Sequence, residues 1–397
     1  MPKGGECILK TKNWMMTLAL TVILLIFTAC SSGNVAEEHH TPIIEENLEI
    51  AEDYYGHIDE TAETYPPEAD LPEIVNPSIP PITIEAAAGI FSALQAAWDA
   101  DGGAMWGVRL HMPVAIVCND TFVQFSSHST YPFLYSVRQY VGDFAVYVHE
   151  GDGRRHLPIY SIRNWGEQRW LFVMWDFLHT DFYYNDVRIY DTRMGTAALD
   201  RHLMIMVHAI FHAWQPSIMN VHGASFSALP SSTEARISFE MELNALLQAI
   251  NSDGEERIAI VRDALSVRHA RREAFNSPAA ENLIEVSEGT AVYTELRLLF
   301  NREEIIAMLQ NWPKLIAQHE SNFYAAIQFA YISGALYGML LDDFGVAWRP
   351  LVGPYTDFGQ MLKEAAGITE LLPQDEIDME RYGYREIRER LTERPDS

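Results

Sequence analysis

Two histidines one helical turn apart are the feature that most constrains the fold of this chain. His208 and His212 stand at positions i and i+4 of a helix predicted over residues 203–214, so both imidazoles project from one face. Histidines at this spacing can bind one zinc ion, which also needs a third protein ligand. That ligand must come from a distant segment. The sequence therefore predicts a second element packed against this helix.

The residue that follows His208 decides the chemistry. In the His-Glu-x-x-His helix of zinc peptidases the glutamate is the general base, and here Ala209 stands in its place. Alanine can neither take a proton from metal-bound water nor deliver one to a leaving amine. The sequence keeps the predicted metal ligands and leaves open whether the protein is an enzyme.

Acidic residues on a later predicted helix, residues 280–299, are candidates for the third ligand. Glu281, Glu285 and Glu288 are spaced four and then three residues apart, so they share one face. Buried carboxylates opposite two histidines are costly unless a cation or hydrogen bonds compensate. We take Glu288 as the third ligand. His222, ten residues after His212, is the alternative.

Four further side chains are candidates for supporting roles. Glu285 and Glu242 are predicted to orient a ligating histidine through its second nitrogen, with replacement of the missing base as the alternative. Tyr331 and Tyr337 are weak candidates for donating a hydrogen bond to an oxyanion, with core packing as the alternative. The histidine pair itself has a metal-free alternative as hydrogen-bonded core residues.

The N-terminus has the pattern of an export signal. Three lysines precede an apolar run at residues 15–27, and small residues lead to Cys30. This pattern predicts a lipoprotein signal peptide over residues 1–29 and lipidation of Cys30. The protein would then be anchored to the cell membrane on the extracytoplasmic face of a bacterium. An ordinary signal peptide and an uncleaved anchor are the alternatives, and no later stretch reads as a membrane span.

The rest of the chain divides into three parts. Residues 30–83 are acidic and proline-rich, which predicts a disordered tether. Residues 84–370 form the predicted domain, strand-rich over 84–190 and helical over 191–370, and residues 371–397 form a charged tail. Strands first and helices second favour an α+β fold with a mixed or antiparallel sheet. Besides those named above, helices are predicted at 84–100, 236–249, 256–271, 325–341 and 358–366, and strands at 114–117, 144–148 and 170–175.

The charge of the chain argues against binding to anionic partners, and its cysteine content argues against an intramolecular disulfide. The net charge of −27 opposes binding to nucleic acid and to anionic lipid head groups, so attachment to the membrane would come from the acyl chains. Loss of the signal and acylation of Cys30 leave Cys118 as the last free cysteine. The mature chain therefore has no intramolecular disulfide available.

Several motifs together resemble a bacterial family of zincin-like proteins of the gluzincin type. The first is His208-Ala209-Ile210-Phe211-His212-Ala213-Trp214-Gln215, and the second is Glu288-Gly289-Thr290-Ala291-Val292-Tyr293-Thr294. Further matching segments lie at 103–108, 165–170, 236–246 and 329–338, so the resemblance covers about residues 100–350.

The resemblance implies a zincin-like fold and a zinc ligand set. Carried over by position, the ligands are His208, His212 and the glutamate of the Glu-Gly pair, Glu288, whereas the general base of the family has no counterpart at Ala209. The expected protein is an exported, lipid-anchored homologue of metallopeptidases, catalytically silent or weak. It would bind zinc and a peptide or cell-envelope ligand. The alternatives are an active zinc metallohydrolase with a relocated base and a metal-free surface binding lipoprotein.

Overall fold

The computed structural model describes most of the chain beyond residue 82. The described residues are 83–117, 123–127, 137–141, 144–148, 160–165, 168–174, 183–184, 187–188, 198–221 and 229–393. The predicted signal peptide, the lipidation site at Cys30 and the tether up to residue 82 lie outside them. Cys118 and His222 also lie outside them, so His222 stays a prediction as the alternative third ligand.

The domain begins with a helix whose two ends are set by local sequence. Helix α1, Ile84–Asp101, starts after Thr83, whose hydroxyl accepts a hydrogen bond from the amide of Ala86. It ends at Gly102, which adopts a left-handed conformation with φ of 58° and donates its amide to the carbonyl of Trp98. The helix predicted over residues 84–100 is confirmed.

A six-stranded sheet follows, with the strand order β3-β4-β2-β1-β6-β5. Adjacent strands of this sheet pair antiparallel, except that β1 and β6 run parallel, with Val114 opposite Leu171. A separate two-stranded antiparallel sheet contains β7 and β8. The strands are β1 Val114–Val117, β2 Val123–Ser126, β3 Val137–Val141, β4 Phe144–Val148, β5 Tyr160–Trp165, β6 Gln168–Met174, β7 Tyr183–Tyr184 and β8 Val187–Arg188.

The second half of the domain is helical. A π-helix, Glu285–Gly289, interrupts the single helix that the sequence predicted over residues 280–299. The α-helices are α2 Ala198–Met219, α3 Thr233–Ile250, α4 Gly254–Phe275, α5 Pro278–Ile284, α6 Thr290–Leu299, α7 Arg302–Leu309, α8 Trp312–Gln318, α9 Asn322–Asp343, α10 Phe358–Ala365 and α11 Tyr384–Thr392; short 3-10 turns lie at Arg349–Leu351, Gln374–Glu376 and Met379–Tyr382.

The helices pack so that the two predicted ligand segments meet. Helix α2 contacts α6, and α9 lies against α3, α6 and the π-helix. The predicted α+β class is confirmed, with a mixed sheet first and a larger helical half after it. Close to the contact between α2 and α6, the ring of Trp106 lies edge-on to the rings of Tyr293 and Trp348. The ring centroids of Trp106 and Phe211, on α2, are 5.3 Å apart. This aromatic cluster ties the first half of the chain to the helices.

Residues 371–393, which belong to the predicted charged tail, pack against the helical half of the domain. Tyr382 is buried, its carbonyl accepts a hydrogen bond from Asn244 of α3, and its hydroxyl donates to Asp263 of α4. Ile387 is also buried, and Arg390 pairs with Glu240 of α3. Although the segment is highly charged, burial of Tyr382 and Ile387 and these polar contacts hold it against α3 and α4.

Helix α9 is the most apolar long element among the described residues. By length and composition it could cross a bilayer, but 89% of its most apolar window is buried inside the protein. Burial of this kind is typical of the central helix of a folded domain, and such a helix is apolar all round. Its position explains why the pattern of residues 325–341 lacks a polar face.

Candidate metal centre

The three predicted ligands converge on one point. His208 and His212 lie on α2, and their Nε2 atoms are 2.9 Å apart. Oε2 of Glu288, from the π-helix, lies 3.4 Å from Nε2 of His208 and 3.3 Å from Nε2 of His212. These three residues form the group of metal-binding type found among the described residues.

The separations fit a tetrahedral ion. Zinc binds histidine nitrogen at about 2.0–2.1 Å and carboxylate oxygen at about 2.0–2.2 Å, so two ligands on adjacent tetrahedral corners lie about 3.3 Å apart. The two distances to Glu288 match this value, and the distance between the imidazoles is a few tenths of an ångström shorter. A donor set of two imidazoles and one carboxylate leaves the fourth position of such an ion open.

Each imidazole is oriented through its other nitrogen. Nδ1 of His208 lies 3.1 Å from Oε2 of Glu295, and Nδ1 of His212 lies 3.0 Å from Oε1 of Gln215. Both partner atoms are acceptors that hold the ring proton on Nδ1, which leaves the lone pair of each Nε2 facing the centre. The two Nε2 atoms are 2.9 Å apart, so a proton or a metal cation can lie between their lone pairs.

Gln215 also holds the segment that carries Glu288. Its Nε2 donates to the carbonyls of Val286 and Ser287 and to the hydroxyl of Thr290, at 2.7–3.1 Å. Gln215 is part of the histidine motif but had no predicted role, and no role was predicted for Glu295. Their positions are the signal that was available, since Gln215 follows His212 by one turn and Glu295 follows Glu288 by two.

Two glycines allow the π-helix to approach α9 closely. A Cβ atom added to Gly289 would lie 2.6 Å from Cα of Gly334, and one added to Gly334 would lie 2.6 Å from the carbonyl oxygen of Glu285. Only glycine permits such contact between two backbones. The π-helix is therefore held from one side by Gln215 and from the other by α9. Short π segments inside helices are frequent at functional sites.

The electrostatics of the centre favour positive charge. Burial by itself would lower the pKa of His208, but hydrogen bonds and attraction to Glu288 and Glu295 outweigh it and raise the pKa to about 10. Burial would raise the pKa of Glu288, yet the two imidazoles hold it well below its usual value. For Glu295 burial prevails over His208, so its pKa is raised. A pocket that retains a proton so strongly is also suited to a metal cation.

Ala209 leaves this centre without the carboxylate of a zinc peptidase. It is buried, and it precedes His212 by three residues, so both lie on the same side of α2. Within the described part of the chain, the carboxylates paired with the two histidines are those of Glu288 and Glu295. Glu295 contacts the outer nitrogen of His208, on the side away from the open position.

The two tyrosine candidates lie in different places. The ring of Tyr331, on α9, stacks parallel to that of His208 with centroids 6.1 Å apart, so it remains beside the centre. Tyr337 is fully buried and donates its hydroxyl to Glu242 at 2.6 Å. Because its hydroxyl is bound inside the core, Tyr337 is not positioned to reach an oxyanion at the metal centre.

The prediction that Glu285 and Glu242 orient the histidines is wrong. Both carboxylates are fully buried in a network of charges, in which Arg268 donates two hydrogen bonds of 2.6 Å to Glu285 and Arg271 pairs with Glu242. Glu281, Arg272 and Asp357 extend the network. These glutamates balance buried arginines, and the roles predicted for them belong to Glu295 and Gln215.

Comparison with protein-family models, with curated proteins and with solved structures finds no match to this chain. The candidate function therefore depends on the geometry of the centre and on the motifs of the sequence.

Proposed function

We propose that this chain is an exported, lipid-anchored protein whose zincin-like domain binds zinc through His208, His212 and Glu288 and is catalytically silent or weak toward peptides. The observation that carries the proposal is the convergence of these donors, with both Nδ1 atoms held by buried acceptors. A peptide or cell-envelope ligand would bind at the open side of the centre. The anchor would be an acyl group on Cys30.

The weak activity follows from Ala209. A bound zinc ion would lower the pKa of a water ligand and polarise a carbonyl. No side chain at position 209 can then carry the proton from that water to a leaving amine, and loss of such a carrier costs on the order of 10²–10⁴ in rate. A relocated base is disfavoured because Glu285 and Glu242 are both paired with arginines.

Metal analysis tests the zinc site. We expect the full-length chain, purified in detergent, to retain about one zinc per molecule and His208→Ala to lose it. His269→Ala is the matched control, because His269 is 57% exposed and pairs only with a surface glutamate one turn away among the described residues. Equal zinc content in the wild type and His208→Ala would refute the site.

Peptide digestion tests the catalytic statement. We expect no chelator-sensitive cleavage of a peptide library by the wild type, and we expect Ala209→Glu to create such cleavage, a gain of at least about 10² in rate. Ala209→Gln serves as the control, because glutamine has nearly the same shape as glutamate but lacks the basic carboxylate. Rapid chelator-sensitive cleavage by the wild type would contradict the proposal.

A further inference from the structure

The charge around the candidate centre is distributed unevenly. Glu288 is the single negative ligand, so a divalent cation bound there would leave one positive charge on the cation and its three ligands taken together. Glu295 offsets that charge from behind His208, where its side chain is fully buried. The side chains of the three ligands are instead 11–20% exposed, so their common side is open to solvent.

Ala209 is buried on the same side of α2 as His212 and brings no charge to the centre. In the zinc-peptidase motif the glutamate at this position lies next to the fourth coordination site, where its carboxylate would repel an anion. Alanine removes this repulsion. A cation with an open coordination position, whose second nearby carboxylate lies behind His208, favours an anionic ligand over a neutral one.

A guanidinium lies beside the same helix. Arg169, on β6, donates a hydrogen bond of 2.7 Å to the carbonyl of Ala213, the residue that follows His212. The residue is exposed, and within the described part of the chain the carbonyl of Ala213 is the hydrogen-bond partner of its guanidinium. Arginine is well suited to carboxylates because its planar fork matches their two oxygens.

We propose that the metal centre captures a ligand through a carboxylate group, which takes the fourth coordination position, because Ala209 replaces the anionic glutamate of the zinc-peptidase motif. This inference rests on the proposed zinc site and names the class of ligand that the site would take. The carboxylate can belong to the C-terminus of a peptide or to a free small organic acid. Arg169 would favour either one electrostatically.

Cobalt-substituted protein provides a direct test, because the visible spectrum of cobalt reports a change of ligand. The full-length chain loaded with Co²⁺ is titrated with acetate, with an N-acetylated tripeptide that has a free C-terminus, and with the same tripeptide amidated. We expect the free acids to change the spectrum and the amide to leave it unchanged. Binding of the peptide acid at least about tenfold tighter than acetate would assign the ligand to peptides, and equal binding would assign it to small acids.

Two variants separate charge from shape. We expect Ala209→Glu to weaken binding of the free acids by at least about tenfold and Ala209→Gln to retain it. Equal affinity for the peptide acid and its amide, or equal affinity of the two variants for the acid, would overturn the inference. If Co²⁺ and Zn²⁺ both fail to bind to the wild type, the failure lies with the proposed metal site itself.

Discussion

Oε1 of Gln215 accepts a hydrogen bond from Nδ1 of His212, and Nε2 of the same amide donates to the turn that carries Glu288. One side chain thus fixes two of the three ligands relative to each other. Its amide is fully used, since both its oxygen and its nitrogen have partners, and it is 2% exposed. A substitution at this position should therefore affect the geometry of the centre more than a single lost hydrogen bond would.

Replacement of Gln215 by methionine should weaken zinc binding by about 10- to 100-fold, the range found when groups that orient metal ligands are removed. Gln215→Glu divides the two roles, because a carboxylate still accepts from His212 but cannot donate to the carbonyls of Val286 and Ser287. We expect it to be less stable than the wild type. Competition with a chromogenic chelator measures the affinity, and an unchanged affinity in Gln215→Met would argue against the role of Gln215.

Glu295 should act on the metal through His208. Its carboxylate is fully buried, and one of its oxygens holds Nδ1 of His208 at 3.1 Å. Glu295→Leu removes that acceptor and should lower zinc affinity by about 10- to 100-fold, whereas Glu295→Gln keeps an acceptor oxygen and should lose less than about tenfold. Equal losses in the two variants, measured by the same chelator competition, would show that the acceptor is not what matters.

The close approach of the π-helix to α9 should be sensitive to one methyl group. Gly334→Ala would bring a Cβ within 2.6 Å of the carbonyl oxygen of Glu285, and two backbones must then move apart. We expect a loss of about 1–3 kcal/mol in the free energy of unfolding and weaker zinc binding, since Glu288 lies in the displaced segment. Urea unfolding measures the stability.

Gly89→Ala is the matched control for this substitution. Gly89 also lies within a helix, but an added Cβ would meet nothing within 4 Å. Alanine there should stabilise the protein by about 0.5–1 kcal/mol, because glycine is the poorer helix former. Destabilisation by both variants would mean that the helical glycines are sensitive for a reason other than crowding.

The π-helix also explains which parts of the site could be predicted from the sequence. The spacing of His208 and His212 is local and lies in a regular helix, so the pattern predicted their common face. Glu281, Glu285 and Glu288 would share one face only if an α-helix continued through them, but the wider π turn changes the angle between Glu285 and Glu288. Glu288 therefore faces the histidines, while Glu285 faces Arg268. Periodicity of 3.6 residues carries no information about such an interruption.

For the fold, too, the sequence predicted the regular segments but not the pairings between distant segments. Long periodic segments such as α3, α4 and α9 follow from hydrophobic spacing, and the order of strands and helices gave the α+β class. The buried arginines were not predictable, because Arg268 and Arg271 occur in a helix that is rich in charge and reads as exposed. Their burial depends on three glutamates, one each from α3, α5 and the π-helix, a tertiary pairing that no single segment reveals.

Substitution of Glu242 distinguishes a role in the buried charge network, which would affect stability, from a role at the metal, which would affect zinc affinity. Glu242→Gln removes a charge that pairs with Arg271 and accepts from Tyr337, so it should cost about 3–5 kcal/mol of stability. Zinc affinity of the folded protein should remain within about twofold. Glu273→Gln, at a side chain that is 72% exposed, should change neither property by much. A large loss of zinc affinity with unchanged stability would restore the role that the sequence suggested for Glu242.

His319 should make stability depend on pH between its folded and unfolded pKa values. The residue is 2% exposed, and burial together with nearby Arg236 lowers the pKa of its imidazole from 6.5 to about 4. The folded state therefore keeps His319 neutral where the unfolded chain binds a proton, so its contribution is complete above pH 6.5 and declines as the pH falls toward 4. In that window the metal-free wild type should lose up to about 1.4 kcal/mol per pH unit more than His319→Gln. Urea unfolding of both proteins at pH 7, 6 and 5 measures the difference, and parallel profiles would contradict it.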